Sequence, residues 1–316
     1  MVNPQLSFPG ITSAYATNPF CYVQEPADAF GVKITASPNY TAVALAENVE
    51  ITLGSTVLEI MQAGSFFRYS MQTGGQNFPF HIDVSPQNIN FVKIGTNAPD
   101  LTTPSGTAAA SYQFLMKYKQ SLGTAALVDT YLFLLGCRPS STTLNVTPQG
   151  KLTVGMDWVA REMQISTATN GGLTTPTIPT IGSITGPVVV DADAGSLPLT
   201  INSLTYPTNG MTITVDTGLI TQAYNGSGLI DVSAPGANKT TGSFSIPVGA
   251  QGTAIETLAL SNQTGVNIDY KFKSNFFAHI TGAILSSGTR AFPGAPTNIM
   301  ENPFSFEASA CTLSTT

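Results

Sequence analysis

Apolar and polar residues alternate along most of this chain. In LTVGMDWVARE (152–162), Leu152, Val154, Met156, Trp158 and Ala160 share one face, and Thr153, Gly155, Asp157 and Arg161 share the other. A period of two predicts a long strand with one face on a core and one in solvent. The phase slips near Glu162, after which Met163 and Ile165 are the apolar positions. Such a slip predicts a bulge or bend. AASYQFLMKYKQ (109–120) reads as a half-buried strand, with Tyr112, Phe114, Met116 and Tyr118 inward and Gln113, Lys117 and Lys119 outward. ALVDTYLFLLG follows the SLGTA turn as a more fully buried strand, and TTLNV leads through the turn TPQG into the opening stretch.

TAVALAENVEITLG (41–54) and NINFVKIG (88–95) also read as strands, and STVLEIMQAGSFF (55–67) as the one short helix. From Thr167 to about Val189 charge and periodicity vanish into Thr, Pro and Gly, the composition of a linker. Strand patterning then resumes in 199–220, TGSFSIPV (241–248), AIETLAL (254–260), VNIDYKFK (266–273) and PFSFEASAC (303–311). Asn209-Gly210, between alternating runs, is the strongest short hairpin signal. LNVTPQG (144–150) and LTYPTNG (204–210) are weakly alike, which leaves an internal duplication open. The expected organisation is all-β with minor helix, in two domains: 1–168, a linker 169–189, and 190–316.

Composition changes the picture in one respect. Charged residues are 9% of the chain, against about 25% in ordinary globular domains, while Ser and Thr exceed a fifth. Neutral polar surface is cheaper to desolvate than charged surface, which favours a protein that buries its outside against copies of itself. The formal net charge is −6 and the twelve basic residues are scattered, so the cation cluster that grips phosphates is missing. The three cysteines (Cys21, Cys137, Cys311) make neither a disulfide framework nor a metal-ligand spacing, and fit synthesis in a reducing cytoplasm. MVNPQLSFPG shows no secretory signal, and AALVDTYLFLLGC (125–137) is too short to span a membrane.

Catalytic chemistry finds no foothold. No nucleophile elbow, P-loop or HExxH occurs. His81 and His279 sit among apolar residues, as satisfied structural histidines do. DADAG (191–195) has the carboxylates of a calcium-loop start, but its Gly comes one place early and no Glu closes it. No catalytic, cofactor or metal residue is expected.

The run GCRPSSTTLNVTPQGKLTVGMDWVARE (136–162) resembles the C-terminal signature of tailed-phage tail tube proteins. Its elements are Gly136-Cys137, Leu144, Gly150 and Val159-Ala160-Arg161-Glu162, and the likeness is clearest over 109–166. The resemblance implies β-sandwich or half-barrel tube domains with a flanking helix, whose long strands join a β-barrel around a DNA-wide lumen. It implies rings of six tube domains, here as a homotrimer of two-domain chains, placed in the virion tail. The implied partners are the chain itself, a tape-measure protein, terminator and tip proteins, and DNA that passes unbound. The last strand, PFSFEASACTLS, lacks the Arg of that signature, so an immunoglobulin-like decoration remains open for the second domain. A capsid or tail decoration, a fibre-type β-protein, and a β-rich carbohydrate-active enzyme are the other readings.

Overall fold

The structure, a computed structural model, describes residues 11–16, 19–26, 29–43, 45–52, 54–61, 68–86, 89–96, 110–122, 127–146, 152–180, 198–208, 210–222, 229, 232–234, 236–248, 250–261, 265–273, 275–287 and 301–315. The first half holds β1 (Ile11–Ala16), β2 (Cys21–Gln24), β3 (Thr41–Ala42), β4 (Leu45–Ile51), β5 (Gly54–Met61), β6 (Arg68–Ser85), α1 (Ile89–Thr96), β7 (Tyr112–Leu122), β8 (Val128–Val146), β9 (Leu152–Ala160) and β10 (Glu162–Ser166). The second half holds β11 (Leu199–Ile201), β12 (Leu204–Tyr206), β13 (Met211–Asp216), β14 (Ile220–Gln222), β15 (Val232–Ala234), β16 (Lys239–Pro247), α2 (Ala250–Ser261), β17 (Val266–Lys273), β18 (Phe276–Ser287), β19 (Glu301–Ala308) and β20 (Ala310–Ser314). The fold is all-β with two short helices.

Eight strands pair antiparallel in the order β4–β6–β9–β8–β13–β16–β19–β18. Two smaller sheets lie behind this long sheet: β3–β2–β7–β8–β10 and β12–β11–β17–β18–β20. β8 and β18 therefore serve two sheets each. β8 pairs with β7 and β10 as far as Cys137, then with β9 from Arg138 and with β13 from Ser141. One core joins the long sheet, the smaller sheets and both helices, because alternate side chains of every layer point into it.

The same plan occurs twice. Strand, helix, strand, long strand, strand and short strand (β6, α1, β7, β8, β9, β10) recur as β16, α2, β17, β18, β19 and β20, with the same partners. Even the irregularities recur: β8 carries an extra residue opposite residues 112–114 of β7, and β18 carries one opposite residues 266–268 of β17. β4 beside β6 has its counterpart in β13 beside β16. LNVTPQG and LTYPTNG are not equivalent in this scheme, since the first begins on β8 and the second on β12.

A second apolar cluster (Cys21, Tyr40, Leu115, Tyr131, Phe133, Leu135, Leu173) covers the other face of β7 and β8. Its lid is the segment around Tyr40 together with 169–180, the first part of the Thr/Pro-rich stretch. Thr174 bridges to Ala36 and Thr177 to Asn39, and Leu173 is buried. Gln113, expected in solvent, is buried under this lid. Its amide donates to the Tyr40 hydroxyl, and its carbonyl oxygen accepts from the Ile34 N–H at 2.8 Å. β7 is thus covered on both faces from Gln113 to Leu115, while Met116 to Lys119 stay half-buried.

Four local expectations are corrected. Residues 89–95 of NINFVKIG lie in α1 and AIETLAL lies in α2. The expected helix in 55–67 is strand β5 through Met61, because it zips onto β6; 62–67 lie outside the described residues. β12 and β13, on either side of Asn209-Gly210, pair in different sheets and form no hairpin with each other; Asn209 itself lies outside the described residues. The hairpin is at Asn202-Ser203, where both residues take positive φ between the paired β11 and β12, as a two-residue turn requires.

Candidate assembly surface

Leu152, Val154, Met156, Trp158 and Ala160 all lie on the core face of β9. Trp158 is enclosed by four rings from three other elements, β6, α1 and β7. It stacks on Phe80 and Phe91 at centroid distances of 6.1 and 6.0 Å, and meets Phe114 and Tyr112 edge-on at 5.0 and 6.0 Å. Its indole N–H is buried without a hydrogen-bond acceptor.

The Gly136-Cys137 pair marks the point where β8 leaves one sheet for the other. Gly136 has φ +62°, and a Cβ there would come within 2.9 Å of Arg161 Cβ and 3.0 Å of the Phe30 ring. Only glycine fits that conformation and that space. The buried Glu25 carboxylate accepts from the N–H groups of Gly136 (2.7 Å) and Gly31 (2.9 Å) and from the Ser111 hydroxyl (2.6 Å). Arg161 occupies the break between β9 and β10. Its backbone N–H donates to Leu135 O at 2.9 Å and its guanidinium to Phe30 O at 2.8 Å. Glu162 accepts from the Gln164 amide. Gly150 lies outside the described residues.

The second half builds this bend from other residues, which sequence reading missed. Gly282 has φ +65° and precedes the buried Ala283, in the places of Gly136 and Cys137. Ser309 stands where Arg161 does: its backbone N–H donates to Thr281 O at 3.2 Å, and its hydroxyl to the same oxygen at 2.7 Å. The available signal was a Gly followed by a small residue in the middle of an alternating run, HITGAIL.

The face of the long sheet turned away from the core is polar and uncovered. Ser141, Thr143 and Asn145 on β8 are followed across the sheet by Thr212 and Thr214 on β13 and by Thr241 and Ser243 on β16. Among the described residues, the carboxylates of Glu50, Asp83, Asp157, Asp216, Glu301 and Glu307 stand on it. Against them are Lys239, paired with Glu307 at 3.3 Å, and His81. His81 Nδ1 lies 2.6 Å from Asp157 and Nε2 lies 3.0 Å from Asp83. Partial burial pulls the His81 pKa down, but the two carboxylates more than offset it, and the net shift is upward. Its counterpart in satisfaction, His279, is held by Asp269 and Ser314.

None of the three thiols is poised as a nucleophile. Burial raises the pKa of all three thiols, Cys311 to about 12. Among the described residues no cluster of His, Cys, Asp and Glu could hold a metal ion, and no helix is long and apolar enough to cross a membrane.

Among the described residues, the long sheet is open at both ends. β4 pairs only with β6, and the Ile284–Ser287 part of β18 pairs only with β19 among the described residues. Two unpaired edges on one sheet are a template for joining copies. Nothing among curated proteins matches the chain. Residues 20–308, spanning both halves of the long sheet, match the family model of the phage tail tube protein, and the chain belongs to that family of structural tail proteins.

Proposed function

We propose that three copies of this chain join edge to edge, β18 of one against β4 of the next, and close a tube whose polar face lines a DNA-conducting lumen. The observation that carries this reading is the long sheet: two four-strand repeats joined in line, with both edges unpaired among the described residues. The join inside the chain is a template for the join between chains. β8 meets β13 within the chain, β18 is the counterpart of β8, and β4 is the counterpart of β13. Three sheets of eight give a barrel of twenty-four strands. With strands about 4.8 Å apart and tilted by up to about 40°, its backbone diameter is roughly 37–48 Å. Two copies would give only roughly 24–32 Å by the same geometry, and side chains would fill much of that.

On this reading 1–168 and 190–316 are two tube domains, and 169–189 connects them. Rings stack into the tail tube of the virion. A tape-measure protein fills the lumen before ejection, terminator and tip proteins cap the ends, and DNA passes without specific binding. The Ser/Thr carpet and the excess of carboxylates suit that passage, because they offer phosphates no cations.

Negative-stain microscopy and light scattering on the concentrated chain test the proposal. Hollow rings or tubes built of three chains per ring are expected. A monodisperse monomer at every concentration, or rings of another copy number, would overturn it.

A further inference from the structure

We infer that each copy also grips the next through a second contact behind the strand junction, with α2 of one chain seated on β10 of its neighbour. This rests on the three-copy ring proposed above and goes beyond the pairing of its strand edges. Inside the chain, α1 of the first half lies against β20 of the second. The step that carries the first half to the second carries α1 to α2, and β20 to β10 of the following copy.

The burial of the matching residues supports this step. Leu313 on β20 sits opposite Ala278 of β18, and Ile165 on β10 sits opposite Leu132 of β8. Counted from the bend glycines Gly282 and Gly136, these are the same position of the repeat. Both project to the core side of their sheet, in line with Cys311 and Met163, which pack on the core. Yet Leu313 is 1% exposed and Ile165 is 59% exposed. The helices differ in the same way. α1 buries five of its eight residues, whereas Ile255 is the one fully buried side chain among those described on α2, and Leu260 is 76% exposed. The two undercovered apolar surfaces are therefore on the two elements whose counterparts already touch. A second copy is the occupant that covers both at once, and covering them removes apolar surface from water.

The test is a short bis-maleimide applied to rings of the double variant Leu260→Cys, Ile165→Cys. The native thiols give little background, because all three are buried. Covalent dimers and trimers from the double variant, absent from each single variant, are the expected result. Rings that form but yield no interchain product overturn this contact and leave the ring standing. Failure of both the variant and the unsubstituted chain to form rings overturns the ring reading beneath it. As a second measurement, Leu260→Asp should raise the concentration for half-maximal ring formation by about tenfold or more, with the melting temperature of the isolated chain unchanged. An unchanged assembly concentration would also overturn the contact.

Discussion

Trp158 shows how much of this fold rests on one side chain. It joins β9 to β6, α1 and β7 through ring contacts, so truncation leaves a cavity that rigid sheets cannot collapse to fill. Trp158→Ala should destabilise the chain by about 3–5 kcal/mol, read as the shift in a chemical-denaturation midpoint at constant slope. Trp158→Phe should cost much less, since it keeps most of the ring volume and removes a buried N–H that has no acceptor. His81 carries a pH dependence. Facing Asp83 and Asp157, with Glu50 opposite on β4, it binds its proton more tightly folded than unfolded. The stability it adds is fully present below its unfolded value, about 6.5, and is lost as pH rises through the higher folded value. The stability difference between the unsubstituted chain and His81→Gln should therefore shrink as pH rises above about 6.5. A difference that grew with pH would mean the two carboxylates do not hold the charged ring.

At the scale of elements, the strands were legible and the helices were not. In β9 the core positions are strictly alternate and the break at Arg161 coincides with the slip in phase, so pattern and structure coincide. NINFVKIG has apolar residues at 89, 91, 92 and 94, spacings that suit either a strand or one side of a short helix. Packing against β8 and Trp158 decides for the helix. α2 is harder still, because its apolar residues follow no helical stripe and most described ones are uncovered in the single chain. Asn202-Ser203 was missed because a tight turn was sought at the residue with glycine. Asn tolerates the left-handed region, and the two strands it joins are only three residues long. The second bend was hidden for a related reason. What the fold needs there is a residue free to take positive φ, a small buried neighbour and a backbone N–H aimed back at β18. Gly282, Ala283 and Ser309 meet that need without the cysteine and arginine that made the first bend recognisable.

At the scale of the whole molecule, the sign of charge on the long sheet's open face is the feature with consequences for a channel. No sequence pattern revealed it, because the carboxylates come from strands far apart in the chain: Glu50 on β4, Asp157 on β9, Glu307 on β19. The register of eight strands brings them to one face. In the proposed ring every substitution there is repeated three times per layer and again in each stacked layer, so a small change in one chain becomes a large change along a tube. Glu50→Lys with Glu307→Lys would turn a face poor in cations into one that neutralises phosphates at regular intervals. Both side chains are exposed, so folding should be little affected. Tubes of the double variant should bind duplex DNA at low salt and release it steeply as salt is raised, in proportion to the phosphates neutralised. Tubes of the unsubstituted chain should not bind. Fluorescence anisotropy of a labelled duplex, titrated with tubes at several salt concentrations, reads both. If the variant tubes bound no better, Glu50 and Glu307 would lie away from the lumen, and the long sheet would face outward rather than toward the DNA.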